Sequence, residues 1–416
     1  MSAPPCWPRQ PRWARFFARD ELRRRRYSAF VPAQPAIDLQ HGDLECRFTF
    51  PVDDGLSPGY LDAPWRRANR ETVAAAYLAL TTDLREDDVV SGGLAKADEA
   101  LTLAVDEAGA GRLVAFNPAC VPDLTGEDTA GLARRVGARA RVLFRPSDGS
   151  DMTLKAVAEA ARSARAGARR EDGRAGAALL GFLGGRAQRE LRLWLARLGV
   201  ETGACLVPCL ADACFRAAAE ASVLIAADDR LFSEAVRAAE TALGRAAVRL
   251  PPPYGFAGAR AWLLAAADAV GAPSDARAEV AACLEEAERG AEQLVRLAGE
   301  HRLAFIVAPG EEALLDDPAE NAGVPLVSVL RTFGFGVDVI AGPFGSPEEL
   351  AAHLARGRFD AVYSDFAFDR RLGRAGKARF SLADFEPGPE GAARTLGRLL
   401  GLCRTSFYRR YAGHLR

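Results

Sequence analysis

Thr81-Thr82-Asp83-Leu84-Arg85-Glu86-Asp87-Asp88-Val89-Val90-Ser91-Gly92-Gly93 is the stretch whose reading decides the fold. Its second half, residues 88–93, is a short β-branched run ending in two glycines. An Ala-rich periodic segment, residues 94–107, follows at once. Strand, glycine turn and helix in that order make the repeating unit of a doubly wound parallel sheet. Upstream, residues 69–80 read as a helix. Downstream, residues 112–116 and 140–144 read as strands around a helix at 127–136.

The alternation continues along the chain. A charged Gly/Ala-rich helix or linker occupies 161–173. Strands are then expected at 177–183, 200–207 and 221–226, and helices at 186–198, 210–219, 231–243 and 257–270. A long charged amphipathic helix, 275–300, forms a natural bridge between domains, with Ser274 placed to cap it. Strands 303–307, 336–340 and 361–364 alternate with helices 325–333 and 346–355, and a helix at 389–402 precedes an aromatic-rich end, 407–411. Strands alternating with helices imply parallel sheets. The expected fold class is therefore α/β, with three Rossmann-like domains whose parallel sheets are flanked by helices. The expected division is an arm at 1–35, a first domain at 36–160, a second at 174–274, and the bridging helix with a third domain at 275–385. Segment 386–416 is expected to join the first domain. In the arm, Trp7, Trp13, Phe16 and Phe17 offer docking side chains and Arg23–Arg26 reads as a solvated basic run, and a surface arm is the expected reading.

Composition bounds the function. The chain has 416 residues, enough for two to four domains at roughly 100–200 residues each. Lys plus Arg number 54 and Asp plus Glu 55, so the net charge is −1 and lacks the basic excess of a nucleic-acid binder. No apolar run reaches the ~18–20 residues that span a bilayer, and the Pro- and Arg-rich start lacks the apolar core of a secretory signal. Eight cysteines are too sparse for a disulfide scaffold. A cytoplasmic protein with reduced thiols is expected.

Five segments hold residues that could carry chemistry beyond the carboxyl ends of strands. His41-Gly42-Asp43-Leu44-Glu45-Cys46 offers a loop thiol, which can ligate a soft metal or an iron–sulfur cluster, or sit half-buried in an ordinary loop. In Asn117-Pro118-Ala119-Cys120-Val121-Pro122-Asp123 a second thiol stands between prolines, and Glu127 and Asp128 open the next helix at its positive end. Cys205, Cys209 and Cys214 match no metal spacing, and all three read as small buried hydrophobes, with Cys209 alone in a connecting loop. Pro251-Pro252-Pro253-Tyr254-Gly255 is a rigid turn that walls a cavity or merely joins two elements. Gly373–Lys377 lacks the spacing and the Ser/Thr of a phosphate loop, and no G-x-G-x-x-G follows the first strand, so no directly bound nucleotide is expected. The four histidines show no zinc pairing.

The motifs together resemble the nitrogenase component 1 family. Residues 81–93 are similar to its T-[TS]-D-x-x-E-x-D-[IV]-V-x-G-G segment. Cys120–Asp128 is similar to its C-[PV]-x-x-[IL]-x-G-D-D loop, with Glu127 replacing the first Asp. His41–Cys46 falls where the family has H-G-P-x-G-C, matching at His, Gly and Cys. Pro253-Tyr254-Gly255 is similar to a P-x-G turn, and residues 385–399 to a C-terminal G-x-x-G-A helix. The resemblance covers about residues 36–416.

It implies three Rossmann-like domains, an assembly with a homologous component 1-like subunit, and electrons from an ATP-dependent iron–sulfur reductase homodimer. It implies an iron–sulfur cluster shared with the partner subunit, for which Cys46 and Cys120 are the candidate ligands and Asp43 a candidate carboxylate ligand. No catalytic residue is identified. Catalytic subunits of the family usually carry a further upstream cysteine; residues 15–25 hold none, and Cys6 lies too far upstream. The late His context of the dinitrogen-reducing cofactor is also missing. An oxidoreductase subunit is therefore expected, with an assembly scaffold or a diverged cluster-free binding protein as the alternative. Neither a nucleic acid nor a membrane is an expected partner.

Overall fold

The structure is a computed structural model. It describes residues 11–25, 31–32, 36–44, 61–65, 77–109, 113–137, 142–144, 151–168, 176–203, 205–405 and 410–411. Three four-stranded sheets follow one another along the chain, and every strand pair in them is parallel.

The first sheet is built from Ala36–His41, Tyr77–Thr81, Leu113–Pro118 and Val142–Phe144. The second contains Gly176–Leu180, Glu201–Thr202, Val223–Ala226 and Val248–Arg249. The third contains Arg302–Val307, Gly336–Ala341, Ala361–Tyr363 and Ala378–Phe380. In each sheet the strand that comes first lies between the second and the third, with the fourth outside the third. That order reverses direction between strands one and three and opens a crevice at their carboxyl ends. The α/β class with three parallel sheets flanked by helices is as the sequence implies.

Several elements differ from expectation. Residues 88–93 are not a strand. Glu86–Ser91 is a helix, with three acids in its first turn and the Asp88 carboxylate accepting from the Arg85 N–H at 2.8 Å. Negative charge at a helix start is favourable, and Val90 is 90% exposed, so its β-branching serves no sheet. The strand lies earlier, at Tyr77–Thr81, inside the segment read as helix. The strand expected at 200–207 stops at Thr202. Pro208 cannot donate to a ladder, and the carbonyls of Leu206 and Val207 turn instead to accept the Gly181 N–H. Ser274 is the first residue of its helix, and Pro273 holds the capping position without a side-chain bond.

The helix Asp151–Gly167 crosses the boundary expected at 160 and packs on Asp212–Glu220 and Ser233–Leu243 of the second unit. The C-terminal helix Pro389–Arg404 does not join the first sheet. It packs on Gly255–Val270, on Ser274–Ala298 and beside the third sheet, because its buried face of Ala392, Leu396, Leu399 and Leu400 belongs to the core shared by units two and three. The first sheet keeps a core of its own around Leu39, Leu101, Phe116 and Leu132.

The arm is docked rather than free. Phe16 is buried against the third sheet with Arg371 over its ring, and Phe17 stacks on Tyr363. The Asp365 carboxylate accepts from the Ala18 N–H at 2.7 Å and from the Tyr363 hydroxyl at 2.5 Å. Arg23, expected in a solvated run, pairs with Glu320. Trp7, Arg26 and residues 406–409 lie outside the described residues.

Candidate functional site

At the first sheet's crevice, strands Ala36–His41 and Leu113–Pro118 lie side by side and release their chains in the same direction. The Ala119 N–H donates to the His41 carbonyl at 2.7 Å, so the two loops leave as a pair. Gly42 is required there: a Cβ on it would lie 2.6 Å from the Ala119 Cβ. One residue further along each chain stand Asp43, half-buried, and Cys120, exposed at the start of the short helix Cys120–Leu124. Cys46 lies outside the described residues.

His41 clamps this crevice from beneath. It is fully buried and stacks near Phe116. Its Nδ1 lies 3.0 Å from the Thr82 hydroxyl and its Nε2 2.9 Å from the Glu127 carboxylate. The other Glu127 oxygen accepts from the Gly93 N–H at 2.8 Å, and the Thr82 hydroxyl oxygen accepts from the Gly42 N–H at 3.1 Å. The three sequence motifs, His41-Gly42, Thr82…Gly93 and Cys120…Glu127, thus meet on one imidazole. Glu127 does not cap its own helix, as the sequence suggested. It satisfies an orphan N–H at the start of Leu94–Ala108 instead. Asp128 does cap, accepting from the Gly131 N–H at 2.7 Å.

The loops and helices around Cys120 expose apolar side chains among charged ones. Val89, Val90, Leu124 and Leu44, all on the loops and helices of this crevice, are among the exposed large hydrophobics. A cysteine thiolate is the ordinary ligand of an iron–sulfur cluster. Cys120, with Asp43 and Cys46, would hold one.

The second sheet's crevice opens into a cavity. Gly181, Phe182 and Leu183 line it from one strand end, and Ala227, Asp228 and Asp229 from the other. The Pro252-Pro253-Tyr254 turn walls it, and Ala322, Gly323, Phe385 and Glu386 close it from the third unit. Trp262 reaches it from below. Burial pushes Asp229 up to about 7, against the Leu231 and Phe232 N–H groups that bond its carboxylate. Glu386 is also buried, yet Arg398 and Arg394 hold its carboxyl below the usual range. Arg186 adds a cation at 3.4 Å from Glu386. No cysteine or histidine lies among these lining residues. The third crevice is filled by the arm, through Ala18 and Phe16 on Asp365.

The remaining motifs are structural. Cys205, Cys209 and Cys214 are buried. Burial pushes the Cys209 thiol up to about 12 and Cys214 to about 11, and among the described residues no histidine or carboxylate joins them as a metal-ligand group. Cys209 begins a two-residue strand paired with Val31–Pro32 rather than an open loop. Lys377 is bonded to the carbonyls of Gly357 and Phe359. Reading the sequence missed the joint role of His41, Thr82 and Glu127, since their spacing carries no local signal. It also missed Asp228-Asp229, which a β-branched run followed by two acids does announce.

The sequence pattern described as nitrogenase component 1 type oxidoreductase matches residues 59–368. The chain belongs to this family. Among solved structures, "Nitrogenase Cp1 at pH 5" is similar with a TM-score of 0.65 at 13% identity, covering 93% of this chain and 88% of the other. "Nitrogenase Cp1 at pH 6.5" is similar with a TM-score of 0.61 at 13% identity, covering 92% and 89%. Comparison with curated protein sequences gives no match. Among the described residues, no helix is long and apolar enough to cross a membrane.

Proposed function

We propose that this chain is one subunit of a nitrogenase-like oxidoreductase, with an iron–sulfur cluster at a boundary with a homologous subunit and a substrate compartment in the interdomain cavity. Cys120 and Cys46 are the thiolate ligands in this reading, and Asp43 the carboxylate that stands in for a missing thiol. Such a cluster, when bound, supplies one-electron relay between an ATP-dependent iron–sulfur reductase and the cavity. The chain's own residues do the rest. The His41 clamp holds the two ligand loops in register, and the apolar rim excludes water once a partner covers it.

The cavity favours an organic substrate. Phe182, Tyr254, Trp262 and Phe385 offer packing surface, while Arg186, Asp228, Asp229 and Glu386 offer charge. Its lining brings no soft ligand, so the substrate is held by packing and hydrogen bonds. Asp229, protonated to about neutral pH, is placed to give a proton to a group being reduced. The observation that carries the reading is the exposed Cys120 thiol on a loop clamped by His41 within an apolar rim. The missing upstream cysteine favours a second reading, in which the chain is a scaffold for metallocofactor assembly or a cluster-free binding protein. A cytoplasmic location suits either.

The deciding experiment is anaerobic purification with a co-expressed component 1-like subunit, followed by iron and acid-labile sulfide analysis. Iron that falls at least severalfold in Cys120→Ala supports the oxidoreductase reading. A complex that forms without iron in the wild type sinks the cluster assignment and leaves the binding role.

A further inference from the structure

Away from both crevices, at the amino end of the third sheet, three residues far apart in sequence meet. His301 directly precedes strand Arg302–Val307, Asp360 directly precedes Ala361–Tyr363, and Cys403 sits in the last turn of Pro389–Arg404. One donor atom of each lies within 4.8 Å of the other two. His301 Nδ1 and an Asp360 oxygen are 3.1 Å apart. Two donors on a tetrahedral zinc ion stand roughly 3.3–3.5 Å from each other, given metal–ligand bonds of about 2.0–2.2 Å. The pair is therefore already at nearly the separation that a metal ion would impose.

Electrostatics favours a cation at this place. Pro389–Arg404 and Ser274–Ala298 pack against each other and both end here, the first one residue after Cys403 and the second three residues before His301. Helix carboxyl ends carry partial negative charge. Cys403 is buried, and His301 and Asp360 are half-buried, so the site is shielded without being sealed. The Asp360 carboxylate is oriented by the Arg302 N–H at 3.2 Å. Asp360 is tied to strand Arg302–Val307 a second time, its own N–H donating to the Arg302 carbonyl at 2.8 Å.

We infer that His301, Asp360 and Cys403 form a binding site for a zinc-class divalent cation, with water as the fourth ligand. Imidazole nitrogen, thiolate sulfur and carboxylate oxygen are zinc's ordinary donors. On binding, the Cys403 thiol releases its proton to solvent, the His301 proton moves from Nδ1 to Nε2 by tautomer exchange through water, and the His301–Asp360 hydrogen bond gives way to two metal bonds. No electron is transferred. The ion ties the bridging helix, the third sheet and the C-terminal helix together at one point. This site is independent of the proposed cluster.

The test uses the full chain in a Cys46→Ser, Cys120→Ser background, stripped with chelator and titrated with Zn(II) or Co(II) alone. One ion per chain is expected, with a thiolate-to-cobalt charge-transfer band and tetrahedral visible bands. Cys403→Ser and His301→Gln are each expected to weaken Zn(II) binding by at least about 100-fold. Binding without the thiolate band, or unchanged in Cys403→Ser, means an adventitious ion and overturns the site. Should Cys403→Ser not fold, the cobalt spectrum of the Cys403-containing chain and the titration of His301→Gln still decide.

Discussion

His41 exposes no surface, yet both its ring nitrogens have partners from other motifs. Removing one member of a buried hydrogen-bonded pair leaves the other unsatisfied, which costs about 1–3 kcal/mol. Glu127→Ala is expected to lose stability on that scale in denaturant melts. Glu127→Gln keeps an acceptor for the Gly93 N–H and is expected to lose less than half as much. Equal losses in the two variants would mean that Glu127 acts through packing alone. Gly42 is a sharper probe. Gly42→Ala drives a methyl into Ala119 and parts the two ligand loops, so iron content of the complex is expected to drop while the rest of the fold persists. Retention of full iron would show that the loops do not act as a pair.

At the scale of elements, the junction of Arg186–Arg197 with Pro389–Arg404 brings Glu190, Glu390 and Arg394 together. One Glu190 oxygen caps the C-terminal helix, accepting from the Glu390 and Gly391 N–H groups at 2.8 and 3.2 Å. Gly388 adopts φ 89° to bring the chain close, and a Cβ there would lie 2.5 Å from that same oxygen. Burial, and the neighbouring Glu390 carboxylate, push Glu190 up to about 8, while Arg394 at 2.7 Å pulls the other way. A carboxyl whose folded pKa is raised binds its proton more tightly when folded. Its stabilisation is complete below the unfolded value of 4.5 and is lost as pH rises toward about 8. The wild type should therefore lose stability across that window, by at most about 1.4 kcal/mol per pH unit. Glu190→Gln keeps the cap but cannot ionise, so its melting temperature is expected to flatten from pH 5 to 8. A Gln variant with the wild-type slope would place the titration elsewhere.

For the whole molecule, the division of labour follows from the repeated strand order. Three sheets of the same order make three crevices; the arm fills one, the interdomain cavity opens from another, and Cys120 stands at the first. The first unit's separate core lets its apolar rim be altered without disturbing the other two. Val90→Asp and Leu124→Asp are expected to weaken association with a homologous subunit at least tenfold in sedimentation or titration calorimetry, with an unchanged melting temperature of the isolated chain. Both residues are highly exposed. Unaltered association would remove this face as the subunit boundary.

Much of this was legible in the residues. Alternating runs separated by glycine and proline determined the α/β class, the helix Leu94–Ala108, the long helix Ser274–Ala298 and the three-unit organisation, because hydrophobic period and turn chemistry are local properties. The motifs around Thr82, Cys120 and His41 could be picked out in the same way. Residues 88–93 misled, since β-branched composition says strand while an acidic first turn and an exposed face say helix, and burial is not local information. What only the tertiary structure decided is what touches what: Glu127 on His41 across 86 positions, Glu190 capping a helix 200 positions away, the arm on Asp365, and His301 beside Asp360 and Cys403. Those contacts are set by how sheets and helices pack, and a buried polar group takes whichever partner the packing brings, however distant in the chain.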